Sequence, residues 1–416
     1  MIPALERHGT RAAVIATALL PLLLIHVRGV AEGVFAALAF GFVLRCALRR
    51  DWTAFRQAWV MAAMAYWAWL VFATLLAAPD LQRVASALTW GRLPLAVLAL
   101  SAWVLAEERA RRWLFYGTGI ALLWVVLEVW LQLLVGRGLR GFRRWPAGEL
   151  PGPFTRPRAG PFLVMGMWAL LIGTAGGWLA SAEVRRRAAG WALLAFALAT
   201  MVFVGQRIPL VFSVFGLLIA AALLPTLRLP AVAAIITGAA ALGLSSVVAP
   251  DAFHRLVIQF SSQLARFPES HYGQILARGL EMARQHPLIG LGEAGFQVNC
   301  HNPAYHVGWE AGSDGGGAGM CVTHAHNHYL QALTDSGFPG MLIFAVIAVL
   351  LLLAAGRGLL RDPKPLRVGL FVATFLPLWP VASSYSFTSL PMAGVWMVMA
   401  GWALAEARAA APPGRG

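Results

Sequence analysis

The chain has 416 residues, 59% of them hydrophobic and only 12% charged, with 17 tryptophans; that balance excludes a soluble globular domain and places the chain in a bilayer. Its formal net charge of +15 is carried almost wholly by arginine, Lys364 being the single lysine, and guanidinium forks bind phosphate oxygens bidentately. In a membrane protein such an excess first marks the cytoplasmic segments and their anionic lipids, and nothing in the sequence calls for a nucleic acid.

Taken in chain order, apolar runs of helical spanning length fall at 13–27, 34–48, 57–78, 84–106, 113–136 and 161–182, then at 191–205, 208–225, 231–249, 339–356, 368–386 and 391–406. The first run lacks a small-residue cleavage site and reads as an anchor, not a cleaved leader. These twelve runs predict an all-α polytopic membrane protein. With both termini in the cytoplasm, 19 of the 33 basic residues fall on inside segments, whereas the exterior turns after the first and third runs hold only Arg28 and Arg83; this satisfies the positive-inside rule. Within the spans, Arg92 and Glu128 are read as a structural pair.

Two exterior segments depart from the rule. The loop 137–160 carries Arg137, Arg140, Arg143, Arg144, Arg156 and Arg158 against one acid, Glu149, which fits either anionic headgroups or a polyanionic ligand. Arg207 stands in a turn of almost no length between the seventh and eighth runs, where it either snorkels or pairs with a membrane-embedded pyrophosphate. The stretch 250–338 is the one sizeable hydrophilic piece and holds eight of the ten histidines. The chain therefore divides into 1–249 with nine spans and the basic loop, 250–338 as an exterior loop, and 339–416 with three spans and a tail. Phe253, Leu256, Val257, Phe260 and Leu264 recur at helical spacing and predict an amphipathic helix. A second helix is expected over 274–286, ending at Pro287, and the glycine-rich 308–320 reads as a lid. Cys300 and Cys321 share this loop, so a disulfide between them is open if it faces the periplasm.

The densest polar cluster is Thr323-His324-Ala325-His326-Asn327-His328-Tyr329-Leu330. Histidines two apart point away from one another on a helix, which disfavours a metal site built by this run. A neutral imidazole is instead suited to taking a proton from a sugar hydroxyl near neutral pH.

His326-Asn327, nine residues, then Gly337-x-x-Gly340 resembles the motif of the O-antigen ligase and polymerase superfamily. His286-Pro287-Leu288-Ile289-Gly290-Leu291-Gly292, with Phe296, is similar to that family's preceding signature. The order of spans, arginine turn, large loop and histidine motif also agrees, so the resemblance covers most of the chain. It implies a glycosyltransferase C-type membrane fold in the bacterial inner membrane, with its active site facing the periplasm. It further implies inverting, metal-independent transfer of O-antigen from undecaprenyl pyrophosphate to lipid A-core, with no cofactor. His326 matches the family's essential histidine, and Arg207 the arginine of the turn before the loop. The family's second arginine falls on Tyr272, so Arg266 or Arg278 must substitute.

The expected mechanism has Arg207, Arg266, Arg143 and Arg144 binding the donor pyrophosphate while His326 acts as general base. Asn327 either caps the following helix or orients His326. The rival readings are an O-antigen polymerase, a protein O-oligosaccharyltransferase and, without chemistry, a transporter for lipid-linked sugars.

Overall fold

The computed structural model describes residues 2–306, 322, 324–381, 385–388, 390 and 392–411. Every one of the twelve apolar runs lands on helix. In chain order these are α1 (Ile2–His26), α2 (Arg28–Arg49), α3 (Ala58–Ala77), α4 (Leu81–Trp90) with α5 (Arg92–Ala99), α6 (Glu108–Val135), α7 (Ala159–Leu179) and α8 (Val184–Phe203). Then come α9 (Arg207–Leu223), α10 (Arg228–Val248), the short α11 (Pro250–Phe253), α12 (Phe260–Ala265), α13 (His271–Gln285) and α14 (Gly295–Asn299), and finally α15 (His328–Ala355), α16 (Pro365–Phe375) and α17 (Met392–Ala409). Among the described residues there is no strand, only an isolated bridge between Arg137 and Arg143. The chain is an all-α, multi-pass membrane protein: nine helices among the described residues are long and apolar enough to cross a bilayer, and Arg207–Leu223 and Pro365–Leu378 are shorter apolar ones.

The eleventh run is the one that shortens. Its helix closes in a turn at Leu376–Leu378, and Trp379 is extended (ψ 128°). Pro377 cannot donate to the helix and Pro380 pushes the residue before it out of the helical region, so the helix ends at Leu378.

At the centre stands α7, apolar all round and with 67% of its most apolar window buried, as a helix without a polar face must be. Small residues let its neighbours approach: a Cβ on Gly369 of α16 would stand 2.2 Å from the Trp168 carbonyl oxygen, and one on Gly216 of α9 would meet the Trp168 ring at 2.4 Å. The buried Arg92–Glu128 pair expected from the sequence does not form. Glu128 instead accepts from the backbone N–H of Arg140 at 3.3 Å, and Arg92 faces a cavity on the other side of the bundle.

The described residues of the hydrophilic stretch fold over one end of the helices, termed the loop face below. The amphipathic segment is helical as expected, α11 running on through a π stretch over His254–Gln259 into α12 without a break. Ser270 caps α13 by accepting from the Gly273 N–H, and the helix stops one residue before His286-Pro287 as predicted. Ile275, Met282, Phe296, Cys300, Tyr305, Ala325 and Leu330 form a small core under the loop. Cys300 is disulfide-bonded, while Cys321, the lid 308–320 and Thr323 lie outside the described residues.

The two sequence motifs interlock there. The Phe338 N–H donates to the Pro287 carbonyl at 2.7 Å and the Leu291 N–H to that of Thr334 at 2.8 Å. α15 kinks at Ser336 and Gly337, the latter at φ 68°, and Gly290 is at φ 72°. A Cβ on Gly290 would lie 2.6 Å from the Gly337 nitrogen, and one on Gly337 would lie 2.3 Å from the Leu288 carbonyl oxygen. Both glycines are thus demanded twice, by left-handed backbone and by close approach. Arg83, at the start of α4, clamps the same loop through Nε and Nη2 to the carbonyls of Glu293 (2.8 and 2.6 Å) and Leu291 (2.6 Å).

Candidate active site

His326 precedes α15, outside any helix. Asn327 is the N-cap, its side chain accepting from the Leu330 N–H at 2.9 Å and its amide donating to the Pro380 carbonyl at 2.7 Å. The cap reading of Asn327 therefore holds. His326 itself sits at φ 54° in the left-handed region, costly for a residue with a Cβ and typical of side chains held for function. His324, His326 and His328 consequently do not spread as on a helix. The rings of His324 and His326 touch, centroids 4.4 Å apart, whereas His328 is buried on Phe387 at 3.8 Å and reads as structural. Among the described residues no group of three or more His, Cys, Asp or Glu gathers as a metal site would.

Two further rings hold the pair. Tyr272, standing where the family carries an arginine, meets His326 edge-on at 5.6 Å, and Tyr385 stacks on His324 at 5.8 Å. Burial pushes the His326 imidazole down to about 4; it pushes His324 down to about 3, aided by His326 and Arg158. Both rings are neutral at pH 7, with a lone pair available.

Arg207 is the first residue of α9. Its Nε donates to the Arg255 carbonyl at 3.1 Å, and its two terminal nitrogens donate to the side-chain oxygens of Gln263 and Gln259. All three acceptors are neutral, so the guanidinium is fixed without being discharged. The acid nearby, Glu149, is paired with Arg255 at 2.9 Å, and its carboxyl is raised above the usual range by burial, an effect Arg255 opposes. Gln206 ties the basic loop to the site, accepting from the Gly160 N–H at 2.9 Å and donating to the Pro157 carbonyl at 2.6 Å.

His326 and Arg207 line one cavity of about 120 Å³. Glu149, Gln206, Arg255 and Tyr385 complete its polar side; Pro161, Val164 and Met165 of α7, with Ile208, Pro209 and Phe212 of α9, make an apolar wall. Fixed positive charge thus stands beside a neutral imidazole at the mouth of an apolar slot.

The other predicted arginines are elsewhere. Arg143 and Arg266 are exposed and Arg144 is half-buried, and none lines the cavity. Arg278 is buried in the loop core, with Nη1 donating to the Cys300 carbonyl and burial lowering the guanidinium to about 10. The basic loop reaches the site through Glu149 and Arg158 instead. Sequence reading missed Arg255, Glu149 and Tyr385; the only trace of any of them was Glu149 as the lone acid among arginines.

Residues 192–345 match the family model described as O-antigen ligase. That stretch begins in α8, ends in α15, and contains Arg207, the whole loop and His326. This segment belongs to the O-antigen ligase family. No curated protein matches the chain. Within the O-antigen ligase segment the two motifs have separate duties: the glycines lock the loop onto the kink of α15, and His326 shares a cavity with Arg207.

Proposed function

We propose that the protein transfers a glycan from a polyprenyl-pyrophosphate carrier to a sugar hydroxyl of lipid A-core, as an O-antigen ligase of the inner membrane whose loop face lies in the periplasm. The observation that carries the reading is the shared cavity of His326 and Arg207 with its apolar wall. The wall suits the first isoprene units of a carrier, and Arg207, with Arg255, suits the diphosphate at the headgroup level. Their charge stabilises the leaving diphosphate as the anomeric C–O bond breaks. His326 takes the proton of the acceptor hydroxyl as its oxygen bonds to the anomeric carbon from the opposite face, so one displacement inverts the centre. Tyr272 and His324 hold the imidazole by ring contact, since no hydrogen bond orients it among the described residues. Arg143, Arg144 and Arg266 lie outside the cavity and take no part in this step.

The test is a gel-shift assay with purified protein, polyprenyl-pyrophosphate glycan and rough lipopolysaccharide. Wild type shifts the lipopolysaccharide; His326→Ala binds donor but loses about 10²–10⁴-fold in rate. Near wild-type transfer by a folded His326→Ala protein removes the base from the mechanism, and chain extension of the donor without a shift indicates a polymerase.

A further inference from the structure

On the other side of His324 lies a second cavity, of about 340 Å³, within the ~300–1,000 Å³ typical of small-ligand sites. It enters from the loop face between α2, α4 and the start of α15. Its chemistry differs from that of the cavity holding Arg207: Arg28 and Arg92 face Glu32, Glu293 and Asp335, with amides and hydroxyls from Gln297, Gln331, Ser386 and Thr388 and an indole from Trp90. Three acids against two arginines leave no positive excess, so a diphosphate finds no net attraction here, and donors stand among acceptors beside an aromatic face, as a polyol requires.

Arg92 is the independent pointer. It lies inside the membrane-spanning stretch Leu81–Val104, lines the cavity, and has no ion pair or side-chain hydrogen bond among the described residues. An ionised side chain in a span is costly unless paired or functional. Glu293 and Asp335, 8% and 5% exposed, line the same space. His324 lines this cavity and touches His326, which lines the other, so the two spaces meet at the histidine pair.

We propose that this cavity seats the acceptor sugar, with Arg92, Glu293, Gln297 and Gln331 reading its hydroxyls, so that one hydroxyl passes His324 to reach His326. The assignment rests on the transfer reading above. The acceptor oxygen gains the bond to the anomeric carbon, the diphosphate leaves with the electron pair of the broken bond, and the proton passes to His326.

Two-substrate kinetics on the purified full chain test it. Glu293→Gln is isosteric and Gln297 is exposed on α14, so Glu293→Gln and Gln297→Ala keep the fold. Each is expected to raise the acceptor KM about tenfold, the effect of losing one hydrogen bond to a sugar, with donor KM unchanged. A second arm needs no turnover: calorimetric binding of core oligosaccharide released from rough lipopolysaccharide, to wild type, His326→Ala and Arg92→Gln. Wild type and His326→Ala bind alike, and Arg92→Gln binds more weakly. A rise in donor KM in place of acceptor KM, or transfer and binding indifferent to all three substitutions, overturns the proposal. Oligosaccharide binding that depends on Arg92 in a protein without transfer sustains the cavity and defeats only the catalytic reading.

Discussion

His326 combines two features with separable consequences. Its left-handed backbone costs about 1–2 kcal/mol for a residue with a Cβ, and glycine alone escapes that cost. Among inactive variants, His326→Gly should therefore be more stable than His326→Ala by about 1 kcal/mol, read as the difference in thermal midpoint in one detergent. Equal midpoints would mean that the strain is absent. The lowered imidazole pKa sets the pH dependence. Burial disfavours the imidazolium, so His326 remains a competent base down to about 4 in the free protein and is lost only as acid protonates it. Accordingly kcat/KM for the donor should be flat from neutrality to about pH 5 and fall below. The kcat limb should lie higher, because a bound diphosphate favours the charged ring. A free-enzyme limb near 6.5, the value of an unburied histidine, would place the ring in solvent.

At the scale of elements, a clamp holds the loop to the helices. The three carbonyl contacts of Arg83 are made to Leu291 and Glu293, which follow the left-handed Gly290. Hydrogen bonds from a charged donor contribute about 1.5–3 kcal/mol each, so Arg83→Ala should raise amide exchange in 288–296 about 10- to 100-fold, with α7 unaffected. Exchange at the wild-type rate would assign the docking to the glycine contacts alone. The positive-inside count singled out Arg83 only as an exterior charge; its role needed the folded loop, because its partners lie more than 200 residues away. The motif glycines were legible as a pattern, yet their reason, a mutual backbone approach between two distant segments, was not. The amphipathic helix was legible from its spacing and is helical from Pro250 to Ala265, but periodicity does not reveal that Gln259 and Gln263 are pulled onto Arg207.

For the whole molecule, the orientation proposed from the arginine distribution is open to direct measurement. Ser261 and Arg186 are both exposed and lie at opposite ends of the bundle. In intact cells a membrane-impermeant maleimide should label Ser261→Cys and spare Arg186→Cys until the membrane is opened; the reverse pattern would put the site in the cytoplasm. Much of the architecture was set by sequence alone. Twelve helical runs and the single large loop follow from hydropathy and local spacing, because a bilayer leaves the backbone little choice but helix and sorts arginine by side; the pairing of an arginine turn with a histidine motif was implied by the family resemblance. Tertiary structure decided which of the predicted arginines share a cavity with the imidazole. Arg207 does, Arg143, Arg144, Arg266 and Arg278 do not, and Arg255 and Tyr385 enter unannounced. The physical reason is that a charge's partner depends on where helix ends and loops converge in space, and loop arginines carry no periodicity from which that convergence can be read.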